Sequence, residues 1–173
     1  TTSGLYSKFE DRSTNGLFGG VKNGSVKNLK IINSYFENAA TDAANVSQYA
    51  CSGSVAGFVH NVILENVESS AIVKSNCQRV GGLVGRQDDA LTMTNCTFSG
   101  QVIGTGEANA ARSLAYGGLV GYTNNVKTSE IKNCTVSGSV SADYYVGGFV
   151  GQVNGASGAE YKFTDCTFTG SST

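Results

Sequence analysis

The chain of 173 residues has no proline and no tryptophan, one histidine and one methionine, and only 14% of its residues are charged. Each shortage excludes something. The absence of proline suits interior β-strands, where every backbone N–H has to donate to a neighbour. With 12 basic and 13 acidic residues the net charge is near -1, so no polyelectrolyte field attracts nucleic acid or an anionic membrane. No apolar run approaches the roughly 18 residues of a membrane span, and no basic region followed by an apolar stretch opens the chain. We therefore expect no nucleic-acid partner, no membrane insertion by this segment, and a mature or trimmed piece of a longer protein. A single histidine, no CxxC pair and scattered acids leave little from which to build a metal site or a catalytic cluster.

Glycine, by contrast, is plentiful, at 23 residues, and it is placed periodically. Gly81-Gly82-Leu83-Val84-Gly85, Gly117-Gly118-Leu119-Val120-Gly121 and Gly147-Gly148-Phe149-Val150-Gly151 are three copies of one pentad. Looser copies begin at Asn15 and Ala56, so repeats start near residues 15, 56, 81, 117 and 147. Downstream of each comes an Asx residue: Asn33, Asn66, Asn95, Asn133 and Asp165. Around it apolar residues hold fixed offsets, as in Ile131, Cys134, Val136 and Val140, or Met93, Cys96, Phe98 and Val102. Repetition on this scale points to stacked units. The 40% apolar content fits a narrow interior filled by one or two side chains per strand. The expected fold is all-β: a right-handed parallel β-helix (β-solenoid) of about five rungs, as one domain over 1–173.

Recurrent Asx between inward apolar positions suggests a structural ladder, because Asn tolerates the left-handed conformation and its amide can bond the next amide. Cys96, Cys134 and Cys166 share one repeat position, with Ser34 and Val67 at the equivalent places earlier, and are expected as a buried column of thiols. Stacked strands hold such residues about 4.8 Å apart, wider than a disulfide prefers. Cys51 and Cys77 sit in corners of consecutive repeats, and a possible disulfide would join those two. The lone His60 replaces a pentad glycine and has no carboxylate at a motif spacing. Asp88-Asp89, an adjacent acidic pair, reads as a solvated corner. No catalytic residue, metal ligand or cofactor is assigned.

Gly-Gly-Leu-Val-Gly followed by Asn-Cys-Thr and Ser-Gly-x-Val resembles the GLUG-motif repeats over roughly residues 4 to 170. His60 and Asn15 depart from that pattern. Ser3-Gly4-Leu5-Tyr6 is similar to the tail of the family's opening stretch, which implies truncation in the first repeat. The resemblance implies an exported module of a bacterial surface protein, adhesin-like or accompanying an IgA-cleaving metallopeptidase, extracellular in location. It carries no activity of its own here, since no His-Glu-x-x-His is present. The expected role is therefore a non-catalytic adhesive or spacer segment, with host glycan or a matrix protein as partner. The alternative is a carbohydrate-active enzyme, a polysaccharide lyase or glycosidase, which two or more carboxylates converging in a groove would favour. Binding is expected on two long connections, 38–54 and 103–115, through Tyr49, Glu107 and Arg112, with Tyr116 beside the second. A lesser candidate is the outward hydroxyl strip of Thr97-Ser99, Thr135-Ser137 and Thr167-Thr169.

Overall fold

In the computed structural model, the described residues are 1–10, 13–40, 50–106, 114–124 and 126–173. They are all β, with no helix among them and so none long and apolar enough to cross a membrane. After β1 (Thr2–Ser3) and β2 (Tyr6–Phe9), the chain visits three sheets in a fixed sequence. It runs through β3 (Phe18–Ile32), β4 (Tyr35–Asn38) and β5 (Cys51–Gly53), then β6 (Ala56–Ser69), β7 (Ile72–Ser75) and β8 (Arg79–Gly81). The next circuit splits the first strand into β9 (Val84–Thr94) and β10 (Thr97–Phe98) before β11 (Gln101–Gly104) and β12 (Ala115–Gly117). Another follows as β13 (Val120–Asn124), β14 (Ser129–Lys132), β15 (Thr135–Val136), β16 (Ser139–Ser141) and β17 (Val146–Gly147). The last described strands are β18 (Val150–Gln152), β19 (Tyr161–Thr164), β20 (Thr167–Phe168) and β21 (Ser171–Ser172).

Every strand pair among these residues is parallel. One sheet runs β2-β4-β7-β11-β16-β21, a second β17-β12-β8-β5, and the third gathers the long strands and their broken counterparts. Register makes equivalent residues neighbours. Leu64, Met93, Ile131 and Phe163 form one column, and Phe36, Val73, Val102 and Val140 another. Their members in the middle of the stack are fully buried. Most of the buried apolar residues, Phe98, Leu83, Leu119 and Val136 among them, join one continuous cluster.

The pentad and the Asx strand are tied by close packing. A Cβ on Gly82 would strike the Phe98 ring and the Gly118 carbonyl, and one on Gly118 would strike Val136 and the Gly148 carbonyl. Glycine at the second pentad position thus admits the side chain carried three residues past the Asx of the same circuit. That mutual need explains why the two motifs recur together.

The Asx residues lie where the long strands bend. Asn28, Asn66, Asn95, Asn133 and Asp165 all have φ between 52° and 55°. Each amide donates to the one before it: Asn66 Nδ2 to Asn28 Oδ1 at 2.9 Å, Asn95 to Asn66 at 3.1 Å, Asn133 to Asn95 at 3.3 Å. Asn28, not Asn33, stands below Asn66. The pairing of β3 with β6 sets Leu29 against Val67, and Asn33, also left-handed at φ 49°, falls instead at the bend into β4. For the same reason Leu29, not Ser34, precedes Val67 below the cysteine column; Ser34 Oγ donates to the Ile32 carbonyl at 2.8 Å.

At the upper end, Asp165 follows Asn133 in register, since Lys132 pairs with Thr164. A carboxylate has no hydrogen to pass down to the Asn133 oxygen, so the donor chain stops at Asn133. Asp165→Asn supplies the missing donor and should stabilise the protein by up to about 1 kcal/mol, or ~2–4 °C in the thermal midpoint. A midpoint that falls or stays level in calorimetry would refute the ladder's donor direction.

Candidate functional site

Strand β9 carries a bulge. His60 pairs with Asp88 and Val62 with Leu91, so Asp89 and Ala90 together oppose Asn61. Asp89 takes the left-handed conformation at φ 63°. It continues a second Asx column, in which Asn61 Nδ2 donates to Asn23 Oδ1 at 3.2 Å. The bulge frees backbone groups, and buried side chains satisfy them. Gln87 Nε2 donates to the Asp89 carbonyl at 2.8 Å and to Ser129 Oγ at 2.7 Å, while Ser129 Oγ accepts from the Leu91 N–H at 3.2 Å. Tyr161 O–H donates to Gln87 Oε1 at 2.9 Å. A buried hydrogen-bonded network of this kind fixes the backbone and re-aims the residues in front of it.

In front of the brace is a cleft of about 220 Å³ lined by His60, Asp88, Asp89, Asn124 and Lys127. His60, Asp88 and Asn124 are aligned across three successive strands, because Asn124 pairs with Asp88 and Asp88 with His60. Asp88 is gripped by Arg86 two residues earlier on the same strand face, Nε to Oδ1 at 2.7 Å and Nη2 to Oδ2 at 2.9 Å. Asp89 Oδ2 lies 3.4 Å from Lys127 Nζ and 4.0 Å from His60 Nε2. Its other oxygen, Oδ1, is buried and has no hydrogen-bond donor among the described residues. No group of three or more metal-ligating side chains is poised to hold an ion among those residues.

The GLUG motif, as a family model, matches the chain at residues 76–103 and again at 113–141. This chain carries GLUG repeats. Searches of curated proteins and of solved structures gave no match. The first GLUG repeat contributes Asp88 and Asp89 and the second Asn124 and Lys127, so the cleft spans two copies, with His60 added from the strand before them.

The residues nominated from sequence fall elsewhere. Tyr49, Glu107 and Arg112 lie outside the described residues, as does most of the 38–54 and 103–115 connections. Tyr116 is no surface anchor: it is fully buried in β12, inside the main apolar cluster, with its hydroxyl donating to the Cys77 carbonyl at 3.3 Å. The hydroxyl strip is aligned, Thr97 against Thr135 against Thr167. Beside it, Ser99, Ser137 and Thr169 border a shallow groove of about 450 Å³. Nothing local flags the cleft, because its five residues come from three circuits and the bulge that aims them breaks the repeat's spacing.

Cys96, Cys134 and Cys166 stack in register as free thiols, the first two fully buried. Hydrogen bonding with Cys96, together with burial, pushes the Cys134 thiol well up, whereas the same contact holds Cys96 below its ordinary value. Cys51 and Cys77 are buried thiols in this structure. Cys51 pairs with Arg79 rather than with Cys77. Burial pushes its thiol from 9.0 up to about 12. A neutral thiol is thus favoured in the fold, and stability contributed below pH 9 is lost as pH rises towards 12. Alkylation at pH 8 should modify partly exposed Cys166 first and spare Cys51 until unfolding. Mass spectrometry of time-quenched samples checks the order, and early labelling of Cys51 would refute it.

Proposed function

We propose that the chain is a right-handed parallel β-helix of about five rungs that serves as a non-catalytic module, adhesive or spacer, of an exported bacterial surface protein. The observation that carries this reading is the in-register stacking of GLUG equivalents, Gly81 on Gly117 on Gly147, through successive parallel circuits. GLUG repeats are typical of bacterial surface proteins. Right-handedness follows the general preference of parallel crossovers. Such a stack acts as a stiff rod whose length scales with the number of circuits.

The enzyme alternative draws on Asp88 and Asp89, which do line one cleft. Asp88 is committed to Arg86 through both oxygens, leaving Asp89 as the single carboxylate facing the space, whereas glycoside hydrolysis uses two. That balance favours binding over cleavage.

Two measurements test the reading. Deleting residues 82–117 joins Gly81 to Gly118 and removes one circuit without disturbing the register on either side. The product should fold, keep its β circular dichroism, and be shorter by about 4.8 Å in small-angle scattering. Unfolding of the deleted form would count against the stacked rod. Incubating the intact chain with a panel of polysaccharides should release no new reducing or unsaturated ends, and their release would restore the enzyme.

A further inference from the structure

We propose that the cleft at the β9 bulge binds a single neutral sugar residue. This rests on the binding-module reading and gives that module a location and a ligand class. The first argument is charge. Two carboxylates and two cations are paired off around the cleft, Asp88 with Arg86 and Asp89 with Lys127, so the lining offers no net field to an anionic or a cationic ligand.

The second argument is hydrogen-bonding chemistry. Asp89 Oδ2 lies among the lining residues, 3.4 Å from Lys127 Nζ and 4.0 Å from His60 Nε2, and its lone pairs can accept a ligand hydroxyl hydrogen. Across from it stand the Asn124 amide, which donates and accepts, the His60 imidazole, and the Lys127 ammonium with donors to spare on a side chain that is 76% exposed. A vicinal diol, each hydroxyl donating once and accepting twice, answers such a mixed set; a purely accepting phosphate or purely donating ammonium does not.

Size and rigidity complete the case. At about 220 Å³ the cleft falls below the ~300–1,000 Å³ of drug-sized ligand pockets, which suits one ring with the remainder of a glycan leading out through the open mouth. The Gln87–Ser129–Tyr161 brace holds the bulge before any ligand arrives, so little ordering has to accompany binding.

The experiment titrates the intact chain by calorimetry or ¹⁵N-resolved NMR with methyl glycosides of neutral hexoses and of N-acetylhexosamine, with sialic acid as anionic arm and calcium chloride as cationic arm. The expected result is saturable binding of at least one neutral glycoside, with shifts centred on His60, Asp89 and Asn124. Lys127→Met, at an exposed position where folding is not at risk, should weaken it by about tenfold or more. Asp89→Asn should weaken it comparably, while Ser137→Ala on the hydroxyl groove leaves it unchanged. Absence of neutral-glycoside binding, preference for sialic acid or calcium, or full affinity in Lys127→Met would each overturn the proposal. A chain that binds immobilised host glycan equally well with and without Lys127→Met keeps the module reading and loses only this cleft.

Discussion

Cys134→Asp should cost about 3–5 kcal/mol and lower the thermal midpoint by about 10 °C or more, a large share of the ~5–15 kcal/mol that holds a domain folded. Cys134 is fully buried between Cys96 and Cys166 in the stack. Its Sγ donates to the Lys132 carbonyl at 3.3 Å, and Cys96 Sγ reaches the carbonyls of Leu64 and Thr94. Among the described residues the sulfurs of this column contact carbonyl oxygens and no cation, so a carboxylate placed there is either ionised without a partner or protonated against its preference. Cys134→Val is the control, because Val67 and Leu29 occupy the same column in earlier circuits. It should melt within about 2 °C of the parent. Equal midpoints for the Asp and Val variants would mean that the column is open to water.

Phe98→Ala should cost a further class of energy, about 3–5 kcal/mol, by leaving a cavity at the centre of the stack. Phe98 is fully buried, and its ring fills the space that Gly82 leaves by having no side chain. The pairing has a sharper consequence. Gly82→Ala in the Phe98→Ala background puts a methyl group towards the cavity, yet that Cβ also strikes the Gly118 carbonyl of the next circuit. Backbone cannot retreat as a side chain can, so the double variant should be less stable than Phe98→Ala alone by about 1–3 kcal/mol. Urea midpoints of the parent, both single variants and the double variant decide it. Rescue by the second substitution would show that Gly82 is kept for the phenyl ring alone and not for contact between circuits.

The periodic part of this protein was legible without coordinates because parallel stacking turns sequence equivalence into physical contact. Gly81, Gly117 and Gly147 look alike in the chain and are neighbours in the sheet; Cys96, Cys134 and Cys166 behave the same way. Local chemistry also marked the bends, since an Asn at a left-handed position is recognisable by type. Counting failed where two candidates met the same local pattern. Asn28-Leu29-Lys30-Ile31 and Asn33-Ser34-Tyr35-Phe36 both place apolar residues after an Asn, and only the register of the whole β3–β6 ladder selects Asn28. Tyr116 failed for a related reason: its side chain is directed by the pairing of β12 with β8, which turns it towards the Cys77 carbonyl instead of solvent.

The cleft belonged wholly to the tertiary structure. His60 has no carboxylate at a motif spacing in sequence, and Asp88-Asp89 is an ordinary acidic pair until the left-handed bend at Asp89 and the extra residue in β9 aim it, and strand pairing sets His60 and Asn124 on either side of Asp88. A repeat pattern records what every circuit shares. A functional site is built from what one circuit has and the others lack, and which odd residues meet is settled by register, bulge and the buried Gln87 brace, none of which has a local signature.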